Sequence, residues 1–253
     1  MEDSMRRPLR LLLAALICAL TAFVVLPASS TAADRPDPVV IVNGTFGPAF
    51  FYEPLAARLR ADGNQVFIFE LTDLGTGDIA ATAADLAGFV SGVLSSTGAT
   101  KVDLVGHSQG GLVARQYVKF LGGDSTVDSL VSLGAPHHGT AVANIADFFG
   151  GGDCLGVVAC QQMAVGSDFV NTLNAGDDTI GSVRYTNLYT ALDELVRPVA
   201  NAALDDGATN VLIQSQCPFR VVAHVGLALD GTVYDGVHDA LLGRPIQLNC
   251  WAV

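Results

Sequence analysis

Short apolar runs bounded by glycine and polar turns alternate along this chain with longer stretches whose apolar positions step by three and four. Val39–Val42 is a continuous apolar run, the pattern of a strand buried on both faces, and it ends at the glycine-rich loop Asn43–Gly47. From Phe51 to Asp62 the spacing predicts a helix, with Pro54 in an early turn, Leu55 and Leu59 one turn apart and Gly63 as its stop. Gln65–Glu70 reads as a strand. Asp78 then caps a helix whose apolar positions are Ile79, Ala83, Leu86, Val90 and Val93. Val102–Val105 predicts a further buried strand that runs into a glycine-rich turn and a helix from about Gly111 to Leu121. Strands over Val127–Leu133, Val183–Leu188 and Asn210–Ile213 and a last helix over Thr232–Leu242 complete the pattern. Such alternation predicts an α/β fold, a mostly parallel sheet of about six strands with helices on both faces. Residues 137–180 break the rhythm. Their apolar Phe148, Phe149, Val157 and Val158 belong to no evident strand or helix face, and long ordered excursions of this kind are usually functional. A lid or pocket wall is expected there.

The N-terminus has a different character. Residues 11–26 hold a single polar side chain, Thr21, follow Arg6, Arg7 and Arg10, and precede the small residues Ala28–Ala33. Basic, apolar and small-residue regions in that order predict a secretory signal peptide over residues 1–33, cleaved after Ala32 or Ala33. The segment is short for a membrane anchor, and no interior apolar run is expected to span a bilayer. Residues 34–253 then form one domain. With 13 Lys+Arg against 25 Asp+Glu, the formal net charge of −12 excludes a nucleic-acid binder, which must displace counterions from phosphate. Outside the signal, Cys154, Cys160, Cys217 and Cys250 remain, and in a secreted chain they most simply form two disulfides. Of the three pairings, Cys154–Cys160 with Cys217–Cys250 keeps each bridge within its own region. The spacing is not that of a zinc site, and no metal is expected.

Candidate chemistry centres on Gly106-His107-Ser108-Gln109-Gly110, which matches G-x-S-x-G between a strand and a helix. There a sharp turn exposes the serine hydroxyl above the sheet, the flanking glycines make room, and the helix N-terminus faces a developing oxyanion. Ser108 is the expected nucleophile. In the α/β-hydrolase pattern the order along the chain is serine, acid, histidine. Of the five histidines, His224 lies in the loop after the last strand and is the expected base. His107 is expected to pack beneath the turn, His137 and His138 to be turn or hinge residues, and His238 to lie at the surface. Asp193, a few residues after the strand SVRYTNLY, is the expected acid, with Glu194 its competitor. Asp205 and Asp206 sit in a turn signal, and Asp230 breaks the order. The amides of Thr45, in the loop after the first strand, and Gln109 are expected to form the oxyanion hole.

The segments VVIVNGTFGP, DLVGHSQGGL, LGAPHHGT, YTALDELVRP and QCPFRVVAHVGL resemble the small secreted bacterial lipases and esterases of the α/β-hydrolase fold, the class 2 lipases in particular, from residue 38 to about 245. The resemblance places nucleophile, acid and base on Ser108, Asp193 and His224 and implies hydrolysis of carboxylic esters of fatty acids. It departs at Asn43, where relatives usually carry His. The expectation is a secreted, monomeric lipase or esterase that needs no cofactor, acts on a lipid or ester substrate and touches a lipid interface transiently. A polyester depolymerase or acyltransferase would use the same residues; an inactive lipid-binding relative is the reading from another class.

Overall fold

The computed structural model describes residues 36–141 and 154–253. Phe148 and Phe149 lie outside them, as does the expected signal peptide. Six strands, β1 (Val39–Val42), β2 (Val66–Phe69), β3 (Val102–His107), β4 (Val127–Leu133), β5 (Arg184–Tyr189) and β6 (Thr209–Leu212), form one sheet in the order β2-β1-β3-β4-β5-β6. Every neighbouring pair is parallel.

The alternation of side chains along a strand divides the apolar residues between two cores. Val40, Val42, Leu104 and Leu130 pack with α2 (Ile79–Thr97) and α3 (Gln109–Phe120) on one face. On the other, Val39, Ile41, Val105, Val131 and Leu133 meet α1 (Glu53–Ala61) and α7 (Gly231–Leu241). By length and composition α2 could cross a membrane, against expectation from the sequence. The expected apolar positions, Ile79, Ala83, Leu86, Val90 and Val93, are nonetheless buried in the first core. Asp78 caps this helix by accepting from the Ala81 amide at 2.8 Å.

Because β2 and β3 lie on opposite sides of β1, the chain reverses direction in the sheet there. The carboxyl ends of β1 and β3 therefore frame a switch-point crevice, where ligands of open α/β sheets bind. Strand β3 continues two residues past its apolar run, through Gly106 and His107, before the chain turns at Ser108.

The described part of the excursion adds three-residue and longer helical turns, among them α4 (Val158–Gln162) and α5 (Asp168–Leu173). Cys154 pairs with Cys160 and both are buried in the α2–α3 core, with Val157 packed against it. Gln162 joins this segment to the start of α2: its Oε1 accepts from the Ile79 amide at 2.8 Å and its Nε2 donates to Asp78 at 2.6 Å. The segment is thus part of the core rather than a detached flap, although Val158 stays exposed. Cys217 pairs with Cys250, tying the stretch after α6 (Ile213–Gln216) to the C-terminus.

At the opposite end of the sheet, Asp103 is buried beside Asp37 and Asp128, while Asp128 is paired with Arg184 and Lys101. Burial first, then the charges of Asp37 and Asp128, push the Asp103 carboxyl from 3.8 up to about 8. A proton held by the folded state and not by the unfolded one stabilises fully below pH 4, and that stability is lost as the pH rises through 8. Asp103→Asn should therefore melt several degrees above the parent at pH 8.5 and near it at pH 4, as differential scanning calorimetry at both values will show.

Candidate active site

Ser108 has φ 54° and ψ −125°, a conformation that costs an L-residue energy and persists only where the surroundings impose it. Here β3 must pass directly into α3. The Ser108 amide donates to the Leu133 carbonyl at 2.9 Å, and its own carbonyl accepts from the Gly111 amide at 3.0 Å. A Cβ on Gly110 would collide with the Val42 carbonyl oxygen, and one on Gly106 would lie 2.7 Å from the backbone of Gly111. Only glycine admits so close a packing of α3 on β1 and β3. Ser108 itself is only half-buried.

Asp193 and His224 meet one another, carried by the loops that follow β5 and β6, and the His224 ring stands 5.2 Å from that of His107, the residue before Ser108. His224 Nδ1 lies 2.8 Å from Asp193 Oδ2. An ionised carboxylate only accepts, so Nδ1 carries the proton and Nε2 is left as the basic nitrogen. Asp193 Oδ1 accepts from the Leu195 and Val196 amides at 2.9 and 2.7 Å, which fixes the carboxylate plane. The two candidate acids divide the work: Asp193 takes the imidazole, while Glu194 Oε2 accepts from the His224 amide at 3.0 Å. Thr190 Oγ1 donates to the Val222 carbonyl at 2.7 Å, holding the histidine loop from a third point.

The loop Asn43–Gly47 closes the other side. Thr45 Oγ1 hydrogen-bonds Gln109 Oε1, so the two residues expected to form the oxyanion hole touch through their side chains. The Gln109 amide, first in α3, has no acceptor one turn back in the helix, and the Thr45 amide takes no acceptor among the described residues.

His137, His138 and His238 make their polar contacts elsewhere. His137 is buried with Nε2 3.0 Å from Asn187 Oδ1, and burial holds it well below the ordinary imidazole range. His138 faces Asp178 at 3.3 Å and His238 faces Asp62 at 3.6 Å. Asp205 and Asp206 are exposed, and Asp230 caps α7 and pairs with Arg220.

The family model for class 2 lipases matches residues 36–226. This chain belongs to the class 2 lipase family. Among its relatives, triacylglycerol lipase of Burkholderia plantarii is 34% identical over 46% of the chain and 34% of its own length. Lipase B of Pseudozyma antarctica is 28% identical over 79% of the chain and 59% of its own. The chain thus spans between a third and three-fifths of these curated relatives. Aspergillus fumigatus lipase B has a similar structure, with TM-score 0.75 and 22% identity over 88% of this chain and 56% of that one. Bacillus licheniformis lipase BlEst2 in mature form gives TM-score 0.62 and 19% identity over 77% and 87%. These likenesses establish the α/β-hydrolase fold.

Asn43 braces the loop by donating from Nδ2 to the Gly47 carbonyl at 2.9 Å. Two neighbours of the site, Tyr52 and Gly134, were not legible beforehand, and Glu194, legible only as a competing acid, has a different role. Tyr52 comes from the turn before α1, Glu194 acts on a backbone amide, and Gly134, just past β4, has φ +58°. A Cβ on Gly134 would lie 2.6 Å from Leu227 Cδ1, 3.2 Å from Asp193 Oδ2 and 3.3 Å from His224 Nδ1. Gly134→Ala should hence push the Asp193–His224 pair apart. The expected result is a fall of about tenfold or more in esterase kcat, with a lower melting temperature, read by p-nitrophenyl ester turnover and thermal unfolding.

Proposed function

We propose that this chain is a secreted serine hydrolase that cleaves carboxylic esters of fatty acids through an acyl-enzyme. The observation that carries this is the buried Asp193–His224 pair, whose imidazole stands 5.2 Å from the ring of His107, the residue before the strained, half-buried Ser108 at the sheet's switch point. His224 Nε2 takes the hydroxyl proton as Ser108 Oγ attacks the ester carbonyl, and returns it to the leaving alcohol; water then repeats the cycle on the acyl-enzyme. Asp193 fixes the imidazole tautomer and stabilises the imidazolium. The Thr45 and Gln109 amides bind the oxyanion, each worth roughly 3 kcal/mol in the transition state.

A lipid or long acyl ester as substrate is supported by exposed apolar side chains on loops that leave the carboxyl ends of the strands: Phe46 and Phe50 after β1, Leu192 after β5, Val221 and Val225 around His224. The described part of 137–180 adds Leu155, Val158 and Val165, consistent with a pocket wall or partial lid touching a lipid interface. Export through a cleaved leader over residues 1–33 is supported by the two disulfides, which persist in oxidising compartments.

Ser108→Ala should lower kcat by orders of magnitude while the melting temperature stays near the parent's. An organophosphonate ester should label the parent once, at Ser108, and the variant not at all. A parent protein that is neither labelled nor active on p-nitrophenyl esters or triglyceride emulsions would refute the reading in favour of a lipid-binding role.

A further inference from the structure

His107 is buried beneath the elbow, and its two ring nitrogens face groups from different loops. Nε2 lies 3.1 Å from the backbone carbonyl oxygen of His224. A carbonyl can only accept, so Nε2 carries the proton, and in a neutral imidazole Nδ1 must then accept. Nδ1 lies 2.8 Å from Tyr52 Oη, which makes the tyrosine the donor. Tyr52 Oη in turn accepts from the Gly44 amide at 2.7 Å. The hydrogen bonds therefore run in a single direction, from Gly44 through Tyr52 and His107 to His224. Burial drives the His107 imidazole down to about 3 and the Tyr52 hydroxyl upward, so both stay neutral and the direction does not reverse across the working pH range.

This line joins parts of the site that are remote in the chain. Gly44 belongs to the oxyanion loop, and a Cβ there would lie 3.0 Å from His107 Nδ1 and 3.1 Å from Ser108 Cβ, so that loop rests on the elbow. The His107 and His224 rings stand 5.2 Å apart. The acid loop holds His224 through its imidazole, its amide and the nearby Val222 carbonyl; the His224 carbonyl accepts from the Leu227 amide at 3.2 Å within its own turn and, from across the site, from His107 Nε2.

We propose that Tyr52 and His107 are positioning residues that lock the oxyanion loop and the His224 backbone in register with Ser108. The role rests on the triad reading above, since register matters only if those groups act on one substrate atom. A misplacement of about 1 Å between such groups costs about a hundredfold in rate. Tyr52→Phe keeps the ring and removes the hydroxyl that joins Gly44 to His107. His107→Gln retains one donor and one acceptor, whereas His107→Leu has neither.

Assayed on a p-nitrophenyl ester at a temperature where all variants are folded by circular dichroism, Tyr52→Phe should lose about tenfold or more in kcat with KM little changed. His107→Leu should lose at least as much, and His107→Gln should recover a substantial part. Parent-like kcat in Tyr52→Phe, or equal loss in the Gln and Leu variants, overturns the proposal. A readout that needs no turnover separates this from failure of the triad reading. Long-range ¹H–¹⁵N NMR of the ring nitrogens should find His107 as the Nε2–H tautomer in the parent, and Tyr52→Phe should shift the His224 ring resonances. An Nδ1–H tautomer at His107, or unmoved His224 resonances, refutes the coupling even if the parent is inactive. A parent that neither turns over ester nor is labelled at Ser108 removes the catalytic role and overturns the proposal too.

Discussion

Passing a parallel strand straight into a helix whose first turn is packed on the neighbouring strand leaves no room for side chains and no relaxed conformation for the residue at the corner. That constraint governs this molecule. Ser108 is held in its strained backbone geometry because Gly106 and Gly110 allow α3 to touch β1 and β3, and because the Leu133 carbonyl holds its amide. The strain is sustained by the sheet, whose two buried faces are large enough to absorb a local cost of a few kcal/mol. The Ser108 hydroxyl thereby stands at the end of a strand buried along its whole length.

Everything else that matters for the site arrives by loops, and loops need fastening. The turn after β4 and the acid loop are stitched together: Thr140 Oγ1 donates to the Leu195 carbonyl at 2.6 Å and accepts from the Arg197 amide at 2.9 Å, and Asn201 Nδ2 donates to the Gly139 carbonyl at 2.9 Å. Asp193 is thus fixed before it meets His224. On the histidine side, the Cys217–Cys250 bridge closes a stretch of 33 residues around His224, worth about 4 kcal/mol by loop entropy. The Cys154–Cys160 bridge closes a far shorter loop, worth about 2 kcal/mol on the same basis, but its sulfurs lie in the α2–α3 core. Its replacement by polar side chains would be felt there as well as locally.

Local pattern and motif determined much of this protein. Val39–Val42 is bounded correctly because a strand buried on both faces is an uninterrupted apolar run closed by turn residues; Val127–Leu133 is bounded correctly too, although Asp128, Ser129 and Ser132 interrupt its apolar positions. The Asp78 cap and the α2 stripe follow from helical geometry, and the elbow is legible because a strand, two glycines and a helix make the same turn wherever they occur. The chain order of Ser108, Asp193 and His224 follows from the same pattern.

Tertiary structure alone decided which groups face one another. Asp193 and Glu194 are chemically equivalent neighbours; only the path of the loop after β5 puts one on the imidazole and the other on the amide. Val157 looked like pocket lining and is packed on the core instead, since the excursion folds back onto the start of α2. Tyr52 gives no signal in its own stretch of chain, because the side chain it meets, His107, lies 55 residues away and His224 further still. Periodicity reports which face of an element is buried. It carries no record of the distant polar atom that waits there, and hydrogen bonds between loops are set only when the sheet brings their ends together.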